Sequence, residues 1–307
     1  MRHTRTLAAT ATLLATAGLA ACGGAKSAST TTALDASPAS GAAQAASGTS
    51  VPMVTVADAM SQSTKATSQY TSAKVKISET VHARGQDVST TGSGALSWKP
   101  IAMDMSMTMP QLSAELGGDG SIRMLMSGTT MYMNMGDAAA AKLGGKHWMK
   151  IDLSSLGAAG QAMADQMNSN SGNDPATQLK LFTSSADITR VGKENVDGVE
   201  TTHYSGSVDL AKLAASQDPS LKSLLAQSTK LGLTSMNVDL WVNDQNLPVR
   251  IHETTPPTAT TKLDVTVDYT DYSTTPVTIT APAAGDTSDL GSAMQDALGS
   301  GSDGTSS

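Results

Sequence analysis

The chain has 307 residues, a formal net charge of −7 and a single cysteine. One cysteine excludes an intramolecular disulfide and any zinc site built from several thiolates. Removing Arg2 and Arg5 with the leader takes the basic residues from 20 to 18 against 27 acidic ones, about −9. That balance repels phosphate backbones and anionic head groups, and no basic cluster interrupts it, so no nucleic-acid partner is expected.

The N-terminus opens with Arg2 and Arg5 and an apolar run, LAATATLLATAGLAA, too short for a comfortable membrane span. The run ends at Leu19-Ala20-Ala21-Cys22, followed by Gly23 and Gly24, and resembles a bacterial lipobox. In such a box small residues fit a peptidase and the thiol accepts diacylglycerol. The alternative is an ordinary secretory signal with an incidental cysteine; that Cys22 is the only one favours the lipobox. Residues 1–21 are therefore expected to be a signal peptide and Cys22 the lipidated first residue of the mature chain. It would be held on the outer face of the bacterial cell membrane by its acyl chains alone. From Gly23 to Pro52 the chain is almost wholly Gly, Ala, Ser, Thr and Pro, so 22–52 reads as an anchor and flexible tether. The far end, 283–307, has the same composition with added aspartates and reads as a disordered tail. The expected folded domain is 53–282.

Within it, Met53 to Gln69 carries a weak helical pattern through Val56 and Met60. Period two then begins: Ala73, Val75 and Ile77 alternate with Lys74, Lys76 and Ser78, the mark of a half-buried strand. The alternation repeats around Val88, Leu96 and Trp98, with glycines that permit curvature. Next come strands whose apolar phase is built from thioethers. Met103, Met105, Met107 and Met109 alternate with polar residues; Met124 and Met126, then Met131, Met133 and Met135, follow with the same spacing. KHWMKIDL supplies one more strand. The middle turns helical through Leu156, Met163 and Met167, then NDPATQLKLFTSS, where Asp174 is a candidate N-cap and Pro175 the first helical position. A hairpin around Asp197-Gly198 follows, then a second Asp-Pro helix start at Asp218-Pro219 with a stripe of Leu221, Leu224 and Leu225. Three alternating segments close the domain. The order predicts an α+β fold with a large antiparallel sheet.

Two hairpins carry a resemblance. VDGVETTHYSGSVDL and LWVNDQNLPVRI resemble the corresponding hairpins of the LppX/LprG-type bacterial lipoproteins, which are related in fold to the LolA and LolB carriers. This chain has Asn243 where the family pattern has an acid. The resemblance spans roughly Val56 to Tyr272. It implies a strongly curved antiparallel sheet, a half-barrel, closed on its concave side by helices around a cavity for acyl chains. It also implies a protein that binds and moves lipids outside the cytoplasmic membrane.

Three readings of the methionines stay open. They pack an ordinary core, they line an adjustable cavity, or they bind Cu(I) as soft ligands, with His147 within reach. In the cavity reading the lining is the nine methionines from Met103 to Met135 with Leu179, Phe182, Leu221, Leu224 and Leu225 from the helices. Trp98, Trp148 and Trp241 either cover the sheet or rim the cavity mouth. No phosphate loop, dinucleotide fingerprint or nucleophile elbow is present, and His252 begins a zinc-protease-like HE pair with no second histidine four residues on. No enzymatic activity and no cofactor are expected. The expected protein is a monomeric carrier or chaperone for a lipid or other acylated ligand, with an envelope protein as possible receiver. The rival is a structural or sensory surface lipoprotein with a solid core and no ligand.

Overall fold

The computed structural model describes residues 55–83, 85–116, 118–157, 160–161, 164, 174–209 and 233–290. The signal peptide, Cys22 and the tether lie outside these residues, as do Met163, Met167 and the helix start at Asp218.

Twelve strands form one open sheet: β1 (Ser72–Ala83), β2 (Gln86–Trp98), β3 (Ile101–Thr108), β4 (Ser121–Ser127), β5 (Thr130–Asn134), β6 (Trp148–Asp152), β7 (Ala186–Val196), β8 (Val199–Asp209), β9 (Ser235–Asn243), β10 (Pro248–Thr254), β11 (Lys262–Ser273) and β12 (Thr287–Asp289). Across the sheet their order is β12-β6-β5-β4-β3-β2-β1-β11-β10-β9-β8-β7. Two antiparallel meanders, β1–β6 and β7–β11, are thus joined where β1 pairs with β11 along almost its whole length, from Ser72 to His82. The α+β architecture with a large antiparallel sheet is the one the alternation predicts.

Helices α1 (Val56–Thr67), α2 (Ser113–Leu116), α3 (Asp137–Lys142) and α4 (Pro175–Ser185) accompany the sheet. Helix α1 starts where Thr55 Oγ1 accepts the backbone N–H of Asp58 at 3.1 Å. Helix α4 starts as expected at Asp174-Pro175, with Asp174 Oδ1 accepting from Ala176 N at 2.9 Å. The two helices pack on each other, and α4 also meets β7 and β8. The stretch around Leu156, expected to be α-helical, begins as a 3-10 turn, Leu153–Leu156, opened by Asp152.

Turn chemistry sets the hairpin registers. Asp197 and Gly198 both have positive φ, 51° and 90°, the two-residue turn whose twist matches a hairpin. At the β9–β10 turn the amide oxygen of Asn243 accepts from Gln245 N and Leu247 N at 3.0 and 2.9 Å. Asn243 therefore supplies the acceptor that an acid would supply there. Gly94 on β2 and Gly206 on β8 sit where the neighbouring strand's backbone approaches too closely for a side chain. A Cβ on Gly94 would lie 2.0 Å from Asp104 O, and one on Gly206 2.5 Å from Asp187 O.

The folded part does not stop at residue 282. From Ser273 the chain is held by Ser72, whose Oγ donates to Thr275 O at 2.7 Å, and by Ser97 Oγ, which accepts from Val277 N. It ends as β12, parallel to the edge strand β6. His147 holds it there through Asp286, 2.7 Å from Nδ1, while Lys146 donates to Thr287 O at 3.0 Å and Lys150 pairs with Asp289 at 2.9 Å. Ala102 and Leu125, on the outer face between these anchors, are buried. Three alternating residues in a Gly/Ser/Asp-rich stretch give no local strand signal; the exposed edge of β6 and its cations create this one.

Gly94→Val is expected to lower stability by about 2–3 kcal/mol or to prevent folding, since backbone and not a movable side chain blocks the Cβ; urea unfolding measures it. The hydrogen bond that His147 donates to the Asp286 carboxylate raises its pKa, so this contribution is complete below the free imidazole range and is lost as pH rises through the raised value. Amides of residues 287–289 are expected to exchange faster above that point, beyond the ordinary pH dependence of exchange, and His147→Ala should remove the extra step.

Candidate functional site

Register decides what the methionines do. Met103 stands opposite Met126, and Met105 opposite Met124; Met124 and Met126 stand opposite Met133 and Met131 on β5, and these opposite Met149 and Ile151 on β6. On the other side of β3, Met105 and Met107 stand opposite Gly94 and Gly92. A Cβ on Gly92 would lie 3.2 Å from Met107 Cγ and 3.5 Å from Met105 Cε, so the thioether chains lean over β2, into the space its missing side chains leave. Because side chains alternate strictly along a strand, all of these occupy one face. Met103, Met105, Met107, Met124, Met126 and Met131 are buried in it, and Met109, Met133 and Met135 are partly covered. Met105 is only 2% exposed.

The helix layer meets the same face. Leu179 and Phe182, both 0% exposed, belong to one cluster with the methionines and with Met60 of α1. The structure thus brings together the nine methionines and the two α4 residues; Leu221, Leu224 and Leu225 lie outside the described residues. Met is unbranched and repacks at low cost, which suits an inner face between a bent sheet and helices.

The tryptophans divide. Trp98 is on the inner face, its Nε1 donating to Tyr70 O at 3.0 Å and its ring edge-on to Tyr272. Trp241 is on the outer face, stacked 4.3 Å from His203 and donating to Glu194 at 2.7 Å. Trp148 shares the outer face with Tyr132 and Lys150. The outer face is laced with pairs: His203 between Glu194 and Asp239 at 2.9 and 2.8 Å, Arg123 on Asp104 through two bonds, Arg250 between Asp268 and Asp197, and His252 on Asp264. The more exposed of these pairs, Arg123–Asp104 and His252–Asp264, set register and solubility more than stability. His147, the nitrogen ligand considered for copper, spends Nδ1 on Asp286 and faces Asp137 with Nε2 at 3.5 Å. Among the described residues no group of three or more His, Cys, Asp or Glu is arranged to hold a metal.

Two inner-face residues escaped the sequence reading. Glu79 of β1 and Glu253 of β10 both stand opposite Val265 of β11, in phase with the apolar residues of their own strands. The signal was present: Val75, Ile77, Glu79, Val81 is an apolar alternation with one acid in phase, and Val249, Ile251, Glu253 is another. Burial pushes the Glu253 carboxyl up to about 7 and raises Glu79 as well. Tyr269, on the same face, is raised by burial and then by the nearby Glu253 charge.

No protein-family model matches the chain. A Streptomyces coelicolor protein provisionally described as a lipoprotein is 33% identical over 248 residues, 76% of this chain and 75% of its own length. The chain belongs to the family of that streptomycete lipoprotein. An uncharacterised 31.2 kDa protein of Streptomyces griseus is 38% identical over 191 residues, 60% of this chain, and the match covers 61% of that protein's length. Among solved structures, the lipoprotein LppX of Mycobacterium tuberculosis aligns over 73% of this chain and 97% of its own, with 14% identity and a TM-score of 0.46. LprF of Mycobacterium bovis aligns over 74% and 97%, with 16% identity and a TM-score of 0.45.

An acid whose folded pKa lies above its free value of 4.5 contributes full stability below that value and loses it as pH rises toward 7. The stability of the protein is therefore expected to fall across that window, and Glu253→Gln should flatten the fall. Chemical denaturation at a series of pH values reads both curves.

Proposed function

We propose that this chain is a lipoprotein anchored at Cys22 whose domain binds a lipid or other acylated ligand against its methionine-rich inner face, as a carrier or chaperone at the outer side of the cell membrane. The observation that carries the reading is one continuous apolar face, with α1 and α4 packed over it, whose covering thins from the buried Met105 to the partly covered Met133 and Met135. Acyl chains need that: an apolar surface with side chains that move aside cheaply. Each methylene removed from water contributes about 0.8 kcal/mol, so ten contribute about 8 kcal/mol before the cost of ordering ligand and side chains. The lipoprotein relative from Streptomyces coelicolor supports the anchor. The tether would let the domain sample the membrane surface and pass its cargo to an envelope partner. No chemical step is required of any residue.

The near-complete burial of Met105 favours a second reading, a surface lipoprotein with a solid core and no ligand. Native mass spectrometry of the full chain carrying Cys22→Ser, produced in a bacterial envelope, separates the two. Added mass that dissociates as lipid is the expected result. A bare mass, unchanged on incubation with lipid, overturns the carrier reading, and a shift with Cu(I) alone replaces it with metal handling. Met133→Lys is expected to reduce lipid capture with the fold intact, whereas Met105→Lys, with no outlet for its charge, should unfold the domain.

A further inference from the structure

Glu79 and Glu253, each half-buried, interrupt the apolar phase of the inner face. Glu253 is flanked by Val238 on β9 and Val265 on β11, and Glu79 by Val265 and by Thr90 on β2. One row inward stand Ile251, Val267 and Ile77; one row outward, Leu263 and Val81. Neither carboxyl has a hydrogen bond or a cation among the described residues: Arg250 turns to Asp268 and Asp197 on the outer face, and Lys74 to Asp271. Tyr269 donates to Gln178 Oε1 of α4 at 3.3 Å, and Asp174 caps α4, with Lys99 3.6 Å away. From α1 the buried face brings Met60, Ser63 and Thr67, while Asp58 and Lys65 point to solvent. Ser63 Oγ and Thr67 Oγ1 are themselves fully buried and have no partner. Sheet and helix layer thus each hold polar groups with unmet hydrogen-bonding capacity around one apolar core.

An unpaired carboxyl among aliphatic side chains lowers stability, and so does a buried hydroxyl with no partner. Groups kept at such a cost belong more often to sites than to packing. Resting on the reading of the inner face as a lipid site, we propose that Glu253, with Glu79 beside it, forms a polar subsite that takes the uncharged ester and hydroxyl groups of an acylglycerol and turns away anionic head groups. In its protonated form Glu253 donates its O–H to an ester carbonyl and accepts from a glycerol hydroxyl through its own carbonyl oxygen. With its carboxyl pushed up to about 7, Glu253 holds that proton in mildly acidic surroundings and loses it above neutrality. Once ionised it has no donor to offer an ester, and its negative charge, with Glu79 beside it, repels a phosphate head group.

The test uses the full chain carrying Cys22→Ser, with and without Glu253→Gln. Two probes are titrated, dioleoylglycerol and dioleoylphosphatidylglycerol, at pH about 5.5 and about 8.5, on either side of the Glu253 titration. The expected result is dioleoylglycerol bound about tenfold or more tightly at the lower pH, a change of the size one hydrogen bond supplies. Phosphatidylglycerol should bind weakly at both. Glu253→Gln, which donates an N–H at every pH, should bind dioleoylglycerol with the same affinity at both. If the variant keeps the pH dependence, or the parent takes both lipids equally, the subsite is overturned and lipid binding stands. If the parent binds neither probe, the lipid reading falls and the subsite with it. Thermal melting of Glu253→Gln and Glu253→Leu guards the interpretation: variants at least as stable as the parent above neutral pH support the assignment, and variants that fail to fold overturn it by making Glu253 structural.

Discussion

The backbone ladder between β1 and β11 joins two meanders that are otherwise far apart in sequence. Val75 meets Tyr269, Ile77 meets Val267 and Val81 meets Leu263 across it. Side chains alternate with a period of two, so a slip of one residue here would turn one half's apolar set to solvent while the other half kept its own inside. Holding that register makes the methionines of β3–β5 and the aliphatics of β8–β11 one surface instead of two. It also puts Glu79 and Glu253 on either side of a single valine. The core, the helix layer and the candidate subsite all depend on it.

Curvature is the second constraint. A flat sheet of twelve strands would present its apolar face to solvent over an area that α1 and α4 could not cover. Gly94 and Gly206 let neighbouring strands approach more closely than any Cβ permits, one in each half. Thioether chains then fill the space above β2 that branched residues would enter with more strain. The outer face shows the opposite chemistry. It carries cross-strand ion pairs, and part of it is closed by the C-terminal strap that ends as β12 on the open edge of β6, a placement that shields a strand edge from foreign pairing.

Much of this was legible in the chain. Alternation marked β1 to β11, Asp-Pro marked the start of α4, and Asp-Gly marked the β7–β8 turn. Each signal is local, a few residues whose backbone preferences or spacing suffice. Asn243 shows how a local departure can be neutral, because an amide oxygen accepts the turn's hydrogen bonds as a carboxylate would. The misses are different. β12 carries no signal of its own and exists because His147, Lys146 and Lys150 wait at an edge more than 130 residues away. Glu79 and Glu253 were visible as acids in the apolar phase, yet a lone acid in such an alternation is usually exposed; only the neighbouring strands make these two inward and, among the described residues, unpaired.

The sequence by itself therefore determined that the chain forms a large antiparallel sheet with one methionine-rich side, and that the stretch ending at Cys22 resembles a lipobox. These follow from period, composition and spacing, which need no partner. Tertiary structure alone decided which methionines meet, that Leu179 and Phe182 reach them, that Trp98 turns inward while Trp148 and Trp241 turn outward, and that two carboxyls share the apolar face with no counter-charge among the described residues. Those are matters of register and of which strand lies beside which. They arise when hydrogen-bonded neighbours come from distant parts of the chain, and no window of sequence contains both partners.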